Sequence, residues 1–230
     1  MNQDYMKEKP VFLLLVSMGV PMIVSMIAGA LYNIVDSIFV AGISEDAMTA
    51  LSLVFPIQNL AHAAGIGFGI GINAMIARLL GENRLDEANA AASQGLFLSL
   101  LHGLALMAAG YLIMPHFLSM FTEDPQIIAY GLEYSSIVFL FAAIDNMGMA
   151  YEKIYQAAGK MVTSMNSVLL GCVVNIILDP ILIFGLGPIP AYGIRGAAWA
   201  TGLGQTASLV FYLIISRRRP IHVRVSPRRM

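Results

Sequence analysis

The sequence is poor in charged residues: Asp, Glu, Lys and Arg make up 12% of its 230 residues, whereas hydrophobic residues make up 58%. Soluble globular domains usually contain about 25% charged residues, so the composition excludes an ordinary soluble domain. The single cysteine, Cys172, excludes an intrachain disulfide. The sequence also lacks the HExxH, CxxC and phosphate-loop motifs, and we therefore predict that the protein is not an enzyme.

Long apolar runs separate the few charges. A transmembrane helix needs roughly 20 predominantly apolar residues, and six segments satisfy this requirement. We call them spans 1 to 6 and place them at about residues 12–40, 50–78, 90–113, 127–150, 162–184 and 196–215. The sequence thus predicts an all-α membrane protein, a bundle of six transmembrane helices at residues 11–216. A cytoplasmic N-terminus at residues 1–10 precedes the bundle, and a basic cytoplasmic tail at residues 217–230 follows it. We also predict a short amphipathic stretch at residues 114–126, on the outer surface.

Lysine and arginine are distributed unevenly along the chain. All of them except Arg195 precede span 1, separate spans 2 and 3, separate spans 4 and 5, or follow span 6. Because cytoplasmic loops carry an excess of these residues, both ends are predicted to be cytoplasmic. We expect a multi-pass protein of the cell (inner or plasma) membrane. Its partner is then the lipid bilayer, with anionic lipid near the basic tail, and not a nucleic acid.

A charged side chain within a span costs at least about 2.5–3.5 kcal/mol, and two acidic residues stand out there, Asp36 in span 1 and Asp179 in span 5. Asp36, Asp179 and Thr201 each lie about five residues from the outer end of their span, so at about 1.5 Å per residue they share one depth. Tyr32 and Asn175 lie one helical turn deeper, on the same helix faces as the two aspartates. We therefore predict one oxygen-rich cluster in the outer half of the membrane.

The predicted cluster has three possible roles. Two carboxylates at one depth in a low dielectric do not both ionise unpaired, so one takes a proton or both bind a cation. Carboxylate, amide and hydroxyl oxygens suit sodium as well as a proton relay. If the protein is sodium-coupled, the predicted ligands are Asp36, Asn175, Asp179 and Thr201. The alternative is that two separately hydrogen-bonded aspartates hold helices together. The expected absence of lysine and arginine from the bilayer interior favours the ion site, and we predict no cofactor beyond the coupling ion.

Polar and methionine side chains recur at helical spacing on three spans. On an otherwise apolar helix, such a stripe indicates a face turned toward a cavity or another helix. Flexible thioethers suit a wall that accepts many ligand shapes, although each methionine alone also fits ordinary gap-filling. His62 alone likewise fits a packed polar residue. The predicted lining of a cavity for a small organic substrate comprises Met18, Met22, Gln58, His62, Gln205 and Ser208.

Proline and glycine add two local predictions. Pro21 lies within span 1, where it removes a backbone hydrogen bond and predicts a kink or hinge. Span 2 contains two small-xxx-small pairs, Gly65 with Gly69 and Gly67 with Gly71. Both pairs predict a close approach of neighbouring helices.

Several segments resemble the amino-terminal half of the multidrug and toxic compound extrusion (MATE) family: "VPMIVSMIAGALYNIVDSIFVAG", "GIGFGIGINAMIARLLGENRLDEAN", "YEKIYQAAGK" and "NIILDPILIFGLG…YGIRGAAWATGLGQ". The resemblance covers about residues 10–215. It implies one lobe of a cation-coupled antiporter that exports organic, often cationic, drugs or toxins. The resemblance also implies that the coupling-ion site consists of Asp36, Asn175, Asp179 and Thr201, with Tyr32 nearby. It implies that Pro21 is the bending proline of helix 1. Asn146 would be a further polar residue of the site.

The length of the chain leaves alternatives open. MATE proteins resemble two six-helix lobes in one chain, and this sequence resembles the first of them. A second lobe is then expected from a homodimer or a separate chain. The alternatives are a lipid-linked oligosaccharide flippase of the same superfamily and an inactive truncated fragment or partner subunit. A flippase substrate carries phosphate and requires arginine or lysine in the cavity, which the predicted spans lack.

Overall fold

A computed structural model describes residues 10–218 and residues 221, 223 and 225. The described residues form seven helices: α1 Val11–Ala41, α2 Glu45–Gly81, α3 Leu85–Phe121, α4 Pro125–Leu140, α5 Ala142–Ala157, α6 Met161–Phe184 and α7 Ile194–Arg218. Five of them are long and apolar enough to cross a membrane, and the bent pair α4 and α5 counts as a sixth crossing. The predicted all-helical bundle is confirmed. Most of the predicted termini, 1–10 and 217–230, lies outside the described residues.

Span 4 differs from its prediction as one helix at residues 127–150. The chain bends by 46° between α4 and α5, and α5 continues to Ala157. Two glycines lie against the bend. A methyl group at Gly103 of α3 would lie 2.5 Å from the Cα of Ala143, and one at Gly202 of α7 would overlap the ring of Phe141. The bend is therefore accommodated by missing side chains on neighbouring helices, and no proline within the span marks it.

The predicted amphipathic stretch at residues 114–126 is wrong in its first part. Met114–Phe121 continues α3 for two further turns, although Pro115 lies within it. A new helix then begins in the way its sequence favours, because Asp124 Oδ1 accepts hydrogen bonds from the backbone N–H groups of Gln126 (2.8 Å) and Ile127 (3.4 Å). Pro125 occupies the first turn of α4, where its missing N–H is not needed.

Two apolar cores stabilise the two ends of the bundle. One includes Val54, Leu118 and Ile183 and lies toward the acidic end, which we define by Glu45, Asp46, Glu123 and Asp124. The other includes Ile76 and Leu96 and lies toward the basic end, which we define by Arg78, Arg84, Lys160 and Arg217. The space between the two cores contains the polar side chains described below.

Among the described helices, α6 and α7 pack against each other most extensively. Ser167 Oγ donates to the carbonyl oxygen of Ser208 (3.0 Å), and Ser208 Oγ donates back to that of Ser167 (2.8 Å). Gly204 lies beside this pair, and a methyl group there would lie 2.8 Å from the carbonyl oxygen of Gly171. Helix α1 packs mainly on α6 and presents most of its remaining surface outward.

Candidate ion and substrate site

The two membrane aspartates lie together between α1 and α6. The side chain of Asp36 is 6% exposed and that of Asp179 is fully buried. Each lies five residues from the end of its helix, at Ala41 and Phe184. Because α1 and α6 pack side by side, this shared depth places the two aspartates at one level of the helix pair.

Asn175 joins the aspartates to α7. Its amide nitrogen lies 3.4 Å from Asp179 Oδ1. With the amide oxygen and nitrogen exchanged, the nitrogen donates to Asp179 Oδ2 at 3.2 Å and the oxygen accepts from the backbone N–H of Thr201 at 3.2 Å. The second orientation satisfies both ends of the amide and links α6 with α7.

Two buried oxygens in this cluster have no hydrogen-bond partner: Oδ1 of Asp36 and Oγ1 of Thr201. Buried polar atoms are usually satisfied, so these two are candidates to hold a proton or to ligate an ion. Among the described residues, no group of three or more His, Cys, Asp or Glu side chains is placed to hold a metal ion. The donor set consists of carboxylate, amide and hydroxyl oxygens, which fits sodium and does not favour a transition metal.

A cavity of about 590 Å³ lies beside the cluster. Tyr32, Asn175 and Thr201 line it, whereas Asp36 and Asp179 do not. Tyr32 lies one helical turn from Asp36, and Asn175 lies within 3.4 Å of Asp179, so these lining residues adjoin the two carboxylates and form a polar layer of the cavity wall.

Most of the predicted substrate-cavity residues line this cavity: Met22, Gln58, His62, Gln205 and Ser208. Met18 is half-buried in α1 and lies outside the lining. Pro21 is buried within α1, and its carbonyl oxygen accepts a hydrogen bond from Ser25 Oγ at 2.9 Å. The roles of these residues in transport and bending stay predictions.

The glycines of α2 explain which residues of α5 lie opposite them. A methyl group at Gly65 would lie 2.8 Å from Oδ1 of Asn146, and one at Gly69 would lie 2.9 Å from Cγ of Lys153. One pair of small residues thus packs as predicted. Gly67 and Gly71 have no atom within 4 Å of such a methyl group, so the second predicted contact is wrong within the described residues.

Sequence reasoning missed the charged face of α5. Asp145, Glu152 and Lys153 all line the cavity, although span 4 was predicted to end at residue 150 and Lys153 was assigned to the following turn. Lys153 thus adds a basic side chain to the cavity wall, whereas the absence of lysine and arginine from the bilayer interior stays a prediction. The spacing of Asp145, Glu152 and Lys153 is the signal that was available, because residues seven and eight apart share one helix face.

The charges on this face are paired. Lys153 Nζ donates to Glu152 Oε1 (3.0 Å) and to Gln156 Oε1 (3.2 Å), and Gln156 Nε2 donates to Glu152 Oε1 (2.7 Å). The lysine and glutamate side chains are 15% and 22% exposed. The third acid, Asp145, pairs through Oδ2 with His62 Nδ1 at 3.3 Å.

A protein-family model described as MatE matches residues 21–181. The chain belongs to the MATE family. Two curated relatives are similar over nearly its whole length. The multidrug export protein MepA of Staphylococcus haemolyticus is 28% identical over 216 residues, covering 94% of this chain and 47% of MepA. The FAD transporter of Shewanella oneidensis is 25% identical over 212 residues, covering 91% of this chain and 47% of that protein. The chain thus spans about half the length of these relatives.

Solved MATE structures are similar to this chain as well. A MATE protein in its bent conformation is 29% identical with a TM-score of 0.86, and the comparison covers 94% of this chain and 47% of that one. A transporter of the MOP superfamily from Pyrococcus furiosus is 28% identical with a TM-score of 0.84, at the same coverage. This chain is a multi-pass membrane protein with the architecture of one MATE lobe.

Proposed function

We propose that this chain is one lobe of a cation-coupled antiporter that exports organic, often cationic, compounds, with a proton or sodium as the coupling ion. One observation carries the proposal: two buried carboxylates adjoin the polar layer of a cavity of about 590 Å³, and oxygens of both Asp36 and Thr201 have no hydrogen-bond partner. An inward ion at Asp36 and Asp179 and an outward compound in the cavity then adjoin the same polar layer. Their binding can be coupled through that layer.

The identity of the coupling ion is testable in vesicles. The purified chain is reconstituted, ethidium is loaded, and its movement is followed by fluorescence under an imposed proton gradient, a sodium gradient or neither. We expect ethidium to move against its own gradient under one of the two ion gradients. Vesicles without protein provide the baseline. Equal movement with and without both gradients would contradict the proposal.

We further propose that the working unit contains two such lobes in parallel orientation, as a homodimer or with a separate chain. The cavity is walled by polar groups of α2, α5 and α7, and exposing these groups to hydrocarbon is costly because lipid offers no hydrogen bonds. A second lobe would cover them. An even number of crossings leaves both ends of each lobe on one side, so two copies related by an axis along the membrane normal face the same way.

Light scattering with the detergent mass subtracted, together with crosslinking in native membranes, tests this arrangement. We expect a particle of two lobes. A strictly monomeric particle that still exports ethidium would refute the two-lobe requirement. A monomer without transport would favour the alternative of an inactive fragment.

A substrate that carries phosphate is the second candidate, because Lys153 lies in the cavity wall and one relative is an FAD transporter. The same alternative includes a lipid-linked oligosaccharide. Against it, Glu152 already neutralises Lys153 at 3.0 Å, so the wall offers no uncompensated positive charge. If competition by FAD for ethidium transport is strong and depends on Lys153, the second candidate replaces the first.

A further inference from the structure

The pair of His62 and Asp145 is the part of the cavity that the proposed ion site does not use. His62 comes from α2 and Asp145 from α5, and their atoms Nδ1 and Oδ2 are 3.3 Å apart. The side chains are 50% and 23% exposed, so both are accessible from the cavity. The packing of Gly65 against Asn146 and Met149 holds the two helices at a distance where this pair can form.

The lining of the same cavity also includes apolar side chains that can adapt to a ligand. Met22 and Met26 of α1 and Phe55 of α2 line the same cavity, and each is substantially exposed. Thioethers adapt to ligand shape, and aromatic faces attract positive charge. Asp145 is the acid of this wall that has no permanently charged partner, since Glu152 is bound to Lys153.

We propose that Asp145 binds the positively charged group of the transported compound and that protonated His62 displaces it. The inference rests on the proposed function, because it names the residues that recognise the exported cation. When His62 is neutral, the Asp145 carboxylate is available to a ligand cation. When His62 takes up a proton, the imidazolium becomes the counter-ion of Asp145, and the ligand loses its partner.

Imidazole is the side chain that ordinarily changes charge between about pH 5 and pH 8, which makes His62 the expected source of this competition. The charged groups that act on it all come from α5: Asp145, Glu152 and Lys153. Of these, Glu152 and Lys153 compensate each other. The packed helices also carry His102 on α3, which stacks on Phe68 with ring centroids 5.7 Å apart, the tyrosines Tyr32 on α1 and Tyr134 on α4, and the buried Asp36 on α1.

The experiment measures binding of tetraphenylphosphonium to the purified chain by equilibrium dialysis, without any ion gradient. This probe is permanently charged, so any pH dependence belongs to the protein. We expect binding to be about 10-fold tighter at about pH 8 than at about pH 5.5. His62→Asn should bind equally at both pH values, at the tighter level. Asp145→Asn should bind at least about 10-fold more weakly at pH 8, and Asp145→Glu should recover most of the affinity.

Three controls make the result specific. His116→Asn and Glu123→Gln alter exposed side chains outside the cavity and should bind as the wild type does. Triphenylphosphine oxide, a neutral probe of similar bulk, should bind independently of pH and of Asp145. Size-exclusion chromatography identifies any variant that does not fold, and Asp145→Glu then tests the site with its charge retained.

Several outcomes would overturn the inference. These are a pH dependence that survives in His62→Asn, an affinity unchanged in Asp145→Asn, or no binding of tetraphenylphosphonium by the wild type. The proposed function fails separately, if gradients drive no transport while the His62-dependent competition for binding persists.

Discussion

The two groups of ionisable side chains differ in how their charge is balanced. Asp36 and Asp179 are buried with no basic side chain hydrogen-bonded to them among the described residues. On α5, Glu152 has Lys153 and Asp145 has His62, and these side chains are partly exposed to the cavity. A buried acid without a counter-ion needs a mobile one, whereas a paired acid is stable as it stands. The unpaired acids therefore suit the exchangeable ion that we propose, whereas the acids of α5 have partners within the protein.

The largest effect should follow from neutralising the unpaired acids. Asp36→Asn and Asp179→Asn should each reduce gradient-driven ethidium export by at least about 100-fold, since either change removes half of the charge that attracts the ion. Initial rates at equal expression provide the measurement. Asp145→Asn is the matched comparison and should reduce export by about 10-fold through weaker substrate binding. Undiminished export in both Asp36→Asn and Asp179→Asn would exclude the ion-site role.

Removing one partner of the Glu152–Lys153 ion pair should lower the stability of the fold and leave the coupling of export to the ion gradient intact. Lys153→Met keeps the length of the side chain but leaves Glu152 half-buried without its cation, and we expect a loss of about 1–3 kcal/mol in the free energy of unfolding. The double variant Glu152→Gln with Lys153→Met should recover most of this loss. Thermal unfolding in detergent measures both. Equal destabilisation by the single and double variants would show that the ion pair is not the cause.

The proline of α1 provides a smaller test. Pro21→Ala restores a backbone hydrogen bond within α1 and should slow export by about threefold, because a straight helix is then favoured. The variant should remain folded, as judged by an unchanged melting temperature. Equal turnover at equal expression would show that Pro21 is a static feature.

The smallest effect is expected at the exposed basic end. The guanidinium of Arg84, followed by that of Arg78, holds the pKa of the Glu82 carboxyl below its ordinary value of 4.5. A lowered pKa stabilises the fold above the ordinary value, and this stabilisation disappears as acid protonates the carboxylate. Glu82→Gln should therefore lower the melting temperature slightly at about pH 7 and not at all at about pH 3. A difference that persists in acid would contradict this assignment.

The aspartate cluster could be predicted from the sequence, whereas sequence reasoning missed the charged face of α5. The rise of a helix places Asp36, Asp179 and Thr201 at one depth wherever their helices pack together, so this cluster follows from residue counting. The sequence predicts a cytoplasmic turn at Lys153, because basic residues usually lie in cytoplasmic loops. The bend at Phe141 has no proline within the span that would predict it. Tertiary contacts of Gly103 and Gly202 accommodate that bend, and such contacts have no local pattern.

The reciprocal serine bonds between α6 and α7 have a mechanical consequence. These two helices are tied together, so a change of shape in this lobe falls mainly to α1, which packs chiefly on α6 and brings Asp36 to Asp179. If the two carboxylates bind the coupling ion as we propose, its affinity depends on the curvature of α1. By thermodynamic linkage the reverse holds equally, and an ion that joins the two carboxylates selects the curvature at which they meet.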